Sequence, residues 1–184
     1  MRTFFIALII LTGMPLLSYA EPLTNGVTTV PGLRLTLIDE SALENGVGDS
    51  NNVNRFTADA RLFYCLRSEQ GESGAVYGKL PRSQSFVFSL RSGSGELVPK
   101  TELGTKFSKS VDITKSATEL RVRHHPIGPG GSVLGELFVP KQFFILTNQG
   151  TYTLEVRLRY WSKKAHDKYG AVESPPIRVE IEVK

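Results

Sequence analysis

The stretch Gln149–Trp161, QGTYTLEVRLRYW, alternates apolar and polar side chains without a break. Tyr152, Leu154, Val156, Leu158 and Tyr160 fall on one face, and Thr151, Thr153, Glu155, Arg157 and Arg159 on the other. A period of two is the signature of a strand with one buried and one solvated face. The last residues, Pro176–Lys184 or PIRVEIEVK, repeat it with Ile177, Val179, Ile181 and Val183 inward and Arg178, Glu180, Glu182 and Lys184 outward. The intervening WSKKAHDKYGAVES, residues 161–174, reads as the loop of a terminal hairpin. Antiparallel pairing would set Arg157 and Arg159 opposite Glu180 and Glu182. Such exposed pairs contribute about 0.2–1 kcal/mol each, so the buried faces decide the fold.

The same period recurs upstream. Leu33, Leu35 and Leu37 predict a first strand, and the Asp-, Asn- and Gly-rich segment 39–54 a loop. Phe56, Ala58, Ala60, Leu62, Tyr64 and Leu66 share a face and predict one long strand, with Cys65 beside Phe63 on its more polar face. GESG (71–74) breaks the chain before AVYGKL. Phe86, Phe88 and Leu90 then alternate, and SGSG (92–95) signals a turn ahead of the run ELV. Phe107, Val111 and Ile113 hint at a strand, as do Leu120 and Val122. HHPIGPGG (124–131) carries prolines and glycines that a central strand does not tolerate. Leu134, Leu137, Val139, Phe143 and Ile145 form further apolar segments, broken by Pro140. No amphipathic helix of useful length is present. About eight to ten short one-faced strands imply an all-β domain of two packed antiparallel sheets.

Phe143–Leu146, a turn ending at Gly150 and then Thr151–Val156 resemble the penultimate-strand region of immunoglobulin-like domains, including the fibronectin-like and macroglobulin-like sandwiches exported by bacteria. The resemblance covers about forty C-terminal residues and implies a fold without implying an activity. It would make Tyr152 a structural residue, the tyrosine corner whose hydroxyl turns back to upstream backbone. It would put Leu154 where antibody domains carry their second cysteine, so the antibody disulfide is absent. Additional strands or long hairpins are expected before about residue 110, since a minimal domain has about 100 residues.

Residues 1–20, MRTFFIALIILTGMPLLSYA, have the layout of a cleaved signal peptide: Arg2, an apolar stretch from Phe4, and small residues Ser18 and Ala20 before Glu21. The apolar run is interrupted by Thr12, Gly13 and Pro15, and is shorter than the roughly 20 residues that span a bilayer. The expected organisation is therefore a signal peptide (1–20), a flexible segment (21–31) and a single sandwich domain (32–184). Its destination is periplasmic or secreted, without stable membrane insertion after cleavage. The formal charge of +4 falls to +3 without Arg2, too small an excess to imply nucleic acid. The single cysteine, Cys65, cannot bridge within the chain; it is either an inert thiol or an intermolecular partner.

Catalytic signatures are missing. GESGA lacks the last glycine of a nucleophile elbow, and no zincin helix, paired C-x-x-C or phosphate loop occurs. The reading is a non-enzymatic binding module without a cofactor, engaging a protein or an extracellular glycan. The best candidate surface is the terminal hairpin with Trp161, Lys163, Lys164, His166, Lys168 and Tyr169, joined by the Arg121–His125 region. Flat rings supply contact area there and lysines supply steering. The competing reading of that hairpin is a solvated loop whose lysines guard a sheet edge. An alternative function is metal binding by loop histidines His124, His125 and His166, with the reservation that neighbouring residues diverge on a strand. Asp39, Glu40, Glu44, Asp49 and Asn51 form a second cation candidate outside the EF-hand pattern. A third alternative is an enzyme whose site is assembled from scattered residues.

Overall fold

The computed structural model of the protein describes residues 24, 26–30, 32–44, 55–69, 75–80, 82–108, 122–162 and 170–184. Along the chain these form β1 (Val27–Val30), β2 (Leu33–Asp39), α1 (Glu40–Glu44), β3 (Arg55–Thr57), β4 (Leu62–Ser68), β5 (Ala75–Lys79), α2 (Arg82–Ser85), β6 (Phe86–Arg91), α3 (Glu102–Lys106), β7 (Arg123–Ile127), β8 (Ser132–Phe138), α4 (Pro140–Phe143), β9 (Gly150–Ser162), β10 (Gly170–Glu173) and β11 (Ile177–Val183). No helix among the described residues is long and apolar enough to cross a membrane.

The alternating stretch Gly150–Ser162 is β9, and the larger sheet hangs on both its edges. One edge carries β11 along Gly150–Val156 and β10 along Arg159–Ser162; the other carries β6 along Thr153–Leu158 and β5 at Tyr160 and Trp161. Outside these lie β3, parallel to β11, and β7, antiparallel to β5. The smaller sheet runs β1-β2-β4-β8, antiparallel throughout. Between the sheets Leu35, Leu37, Leu62, Leu66, Leu90, Leu154, Val156, Ile177, Val179 and Ile181 are fully excluded from water. Each such side chain contributes about 1.5–3 kcal/mol by burial, which outweighs any surface pair. One end of this core is aromatic: the Phe138 ring stacks on Phe143 at 4.7 Å and lies 4.8 Å from Phe88.

Both strands beside β9 are interrupted at the same level, near Leu158. On one side Ser174, Pro175 and Pro176 intrude between β10 and β11, because the two prolines have no N–H to donate. Ser174, 2 % exposed, closes the break: its N–H donates to the Leu158 carbonyl, and its Oγ accepts the Leu158 N–H at 3.0 Å. On the other side α2 lifts the chain out between β5 and β6, and buried Ser85 donates its hydroxyl to the Leu80 carbonyl at 2.6 Å.

The two-layer all-β architecture agrees with the sequence reading, and several local expectations differ. The long strand expected across Phe56–Leu66 is two strands in different sheets, β3 and β4. Both keep Phe56 and Leu62 in the core, so a chain that changes sheet continues the same inward pattern. Val27–Val30, inside the stretch read as flexible, is paired with β2. Arg157 and Arg159 do not face Glu180 and Glu182, whose partners are Thr153 and Thr151. The strands run further into the presumed loop than expected, and the insertion at Ser174–Pro176 shifts the register. Arg157 and Arg178 instead share Glu155, Arg159 holds Glu173 at 2.8 Å, and Glu180 holds Arg55. His124–Ile127 lies in a strand despite Pro126; β7 ends the larger sheet, where a missing donor is tolerated. Phe107 follows the helical turn α3 and does not belong to a strand; Val111, Ile113 and Leu120 lie outside the described residues.

Replacing Ser174 by Ala strands the buried Leu158 N–H, and we expect a loss of about 1–3 kcal/mol in chemical denaturation with unchanged strand content by circular dichroism. A change within 0.3 kcal/mol of zero, an order-of-magnitude threshold for surface-like behaviour, would show that the insertion does not need the hydroxyl.

Candidate functional site

Beyond the interruptions, the end of β9 joins β10, β5 and β7 in a four-strand extension of the larger sheet. Register sets its content. Gly78 pairs with His124 on one side and Trp161 on the other, and Trp161 pairs with Ala171, giving one row His124, Gly78, Trp161, Ala171 across four strands. Residues paired across a sheet share a face, so this row lies on one face. The adjacent row, Arg123, Lys79, Tyr160 and Val172, belongs to the other face. There Tyr160 is buried and its hydroxyl is pushed above its ordinary value by desolvation. The Lys79 ammonium lies 6.0 Å from the Tyr64 ring, which ties the extension to the smaller sheet. Across β9 and β10 the Arg159 guanidinium and Glu173 carboxylate are register partners.

The structure thus brings together two regions far apart in sequence, around His124 and Trp161. Of the hairpin candidates, Trp161 is the last residue but one of β9, while Lys163, Lys164, His166, Lys168 and Tyr169 lie outside the described residues. His124 and His125 are consecutive on β7 and not in a loop, with Gly78 and Tyr77 as their register partners. His166 lies outside the described residues, and among those described no three His, Cys, Asp or Glu gather as metal ligands. In the second cation candidate, Asp39 caps α1, accepting from the Ala42 N–H at 3.0 Å and the Ser41 hydroxyl at 2.8 Å. Glu40 faces Arg61 at 3.6 Å, and Asp49 and Asn51 lie outside the described residues. Tyr152 donates its hydroxyl to the Asn148 carbonyl at 2.8 Å, across the turn that leads into β9.

A cationic site that the sequence did not announce lies at the aromatic end. Residues 97–100 run as a strap between β6 and Phe144: Val98 N–H donates to Leu90, Ile145 N–H to Pro99, and Lys100 bridges Phe144. The Lys100 ammonium sits 4.7 Å from the Phe88 ring centre and donates to Ser108 Oγ at 2.7 Å. Ser108 in turn donates to the Gly104 carbonyl. Gly104 touches α4 so closely that a Cβ there would lie 2.2 Å from the Phe143 carbonyl oxygen. Phe86, Phe88, Phe107, Glu136, Leu137, Phe138 and Phe143 line a cavity of about 10 Å³, room for one water. Burial, and next the charge of Arg159, hold the Lys100 amine below its ordinary value. A lysine after Val98-Pro99 reads as a surface turn residue, and only the strap's path over Phe88 reveals otherwise.

Cys65 lies on the outward face of β4, yet is 5 % exposed. Burial raises its thiol pKa, against opposing contributions from a Ser132 hydrogen bond and the Arg67 charge, so at neutral pH it is an unreactive thiol. No protein-family model, no curated protein and no solved structure matches the chain.

The Lys100 environment has a pH consequence. Its folded pKa lies below 10.5, so between the two values the unfolded chain binds the proton more strongly and stability rises with pH. Below that window the penalty is constant. Lys100→Met removes it and matches the shape of the strap. We expect the variant to equal or exceed the parent in stability at pH 7, with the difference shrinking toward pH 10.5; paired denaturation curves at pH 7, 9 and 10.5 measure it. A variant destabilised at every pH would mean that the cation–π contact outweighs desolvation.

Proposed function

We propose that this chain is an exported, non-enzymatic β-sandwich of immunoglobulin-like type that binds a protein or an extracellular glycan through the extended end of its larger sheet. The single observation that carries the reading is the row His124, Gly78, Trp161, Ala171, which sets both candidate regions of the sequence in one register row, with β5 between β7 and β9. Register sets Gly78 between His124 and Trp161, an imidazole and an aromatic residue of the kinds that engage a sugar ring or a partner's side chain. The ion pair between Arg159 and Glu173 stiffens the platform beneath, and a rigid surface loses less entropy on binding.

The immunoglobulin-like assignment is supported by the pairings. The order β2-β4-β8 follows the first, second and fifth strands of such domains, and β11-β9-β6 the seventh, sixth and third. The Tyr152 hydroxyl reaching back to Asn148 is the bond of a tyrosine corner. Export is supported by the composition of residues 1–20.

The test compares parent, His124→Ala and Trp161→Ala on a glycan array and in cross-linked capture from the extracellular or periplasmic milieu. We expect one identified ligand to bind the parent and to lose at least about tenfold in affinity, roughly 1.4 kcal/mol, with either folded variant. Undiminished binding by both variants would move the site elsewhere on the sandwich.

A further inference from the structure

Three fixed cations, Lys79, Arg123 and Arg159, stand against one carboxylate, Glu173, in the paired segments of the extension, residues 75–79, 123–127, 159–162 and 170–173. The neutral pair lies on one face, where Glu173 is the register partner of Arg159 and holds it at 2.8 Å. Arg123 and Lys79 lie on the other, in the row they form with Tyr160 and Val172. Among the described residues no carboxylate is within ion-pair distance of either.

That face is the inward one. Tyr160 continues the buried series Tyr152, Leu154, Val156 and Leu158, and Ile127, on the same face of β7 as Arg123, is buried as well. Apolar side chains belong at such positions, because a charge taken from water costs free energy unless it is paired. Here two cations occupy them side by side. Half-buried Lys79 directly opposes exposed Arg123 across antiparallel strands, where Cβ atoms are about 4.5–5.5 Å apart and like charges weaken the pairing. The Lys79 ammonium lies 6.0 Å from the Tyr64 ring, at the outer limit of a cation–π contact, so the ring offsets little of its charge.

The third group of the row is a hydrogen-bond donor. Burial raises the Tyr160 pKa, which keeps the phenol protonated. Its hydroxyl has no hydrogen-bond partner among the described residues. The unpartnered side-chain atom sealed from water among them is Gln84 Oε1, so the Tyr160 oxygen still meets solvent. Departures of this kind from an otherwise consistent core pattern are expected at functional sites.

We propose that Lys79 and Arg123 hold an oxyanion, a phosphate or sulfate group, at the mouth between the two sheets, with the Tyr160 hydroxyl flanking it. Arg123 supplies planar pairs of N–H donors and Lys79 a compact charge, and a doubly charged group turns their repulsion into shared attraction. The site faces away from the His124 and Trp161 row and does not rest on it.

The test is titration of the full chain with sodium phosphate and, separately, sodium sulfate, with chloride holding ionic strength constant, read by backbone amide chemical shifts and by Tm. The proteins are the parent, Arg123→Gln, Lys79→Gln and, as a control for net charge, Lys141→Gln, which removes a cation outside this row that pairs with Asp59. The expected result is a saturable perturbation centred on Arg123, Lys79 and Tyr160, with a saturable rise in Tm. Half-saturation should move at least about tenfold to higher concentration in Arg123→Gln and Lys79→Gln, the loss of one charge-assisted contact, and stay at the parent value in Lys141→Gln. A non-saturable rise shared by all four proteins is the general salting effect of these anions and overturns the site. So does the absence of a saturable response in the parent, or an equal shift of midpoint in all three variants. If a variant does not fold, the parent's own amide shifts decide: perturbations centred on this row sustain the site, and perturbations centred elsewhere overturn it. A sulfated and a phosphorylated sugar, added as competitors, then assign the source of the anion.

Discussion

The fold depends on one backbone satisfying partners along both edges. β9 is 13 residues long and is paired with β10 and β11 on one side and with β5 and β6 on the other. Its N–H and C=O groups lie mostly out of reach of water, and a buried unpaired group costs about 1–3 kcal/mol, so each gap beside it must be closed. Neither flank matches its length. Each is built from two pieces, and the joints fall near Leu158, where Ser174 supplies the acceptor that the prolines' neighbourhood disturbs and Ser85 ties the end of the α2 excursion. Interruptions of this kind let one strand serve two purposes: its first half closes the hydrophobic sandwich, and its last turns out a separate platform.

How much of this was legible in the sequence follows from what side-chain pattern can encode. Period two in Tyr152–Tyr160 and Ile177–Val183 reported burial correctly because both segments face one core throughout. The same signal misled over Phe56–Leu66, since alternation records which way a side chain points and is blind to which sheet the strand has joined. Register was also illegible. The expected pairing of Arg157 and Arg159 with Glu180 and Glu182 treated residues 161–174 as a loop. The real hairpin pairs Ser162 with Gly170 and then spends three residues, Ser174–Pro176, opposite two. Pro126 was rightly read as unsuited to a central strand, and the edge position of β7 is the case that rule leaves open.

The candidate surfaces were half visible for a related reason. Trp161 and His124 each stand out by residue type, but they share a register row only through Gly78 on the strand between them, a residue with nothing in its side chain to attract notice. Lys100 gave no signal either, because its burial is a property of the strap between β6 and Phe144.

The charged groups of the core's margins differ in how the protein compensates them. Around Glu155 the larger sheet interleaves signs, with Arg157 at 2.8 Å and Arg178 at 3.1 Å, so each oxygen of that carboxylate holds its own guanidinium. Lys100 has no carboxylate partner among the described residues but is compensated locally by the Phe88 ring and the Ser108 hydroxyl, with room for one water in the neighbouring cavity.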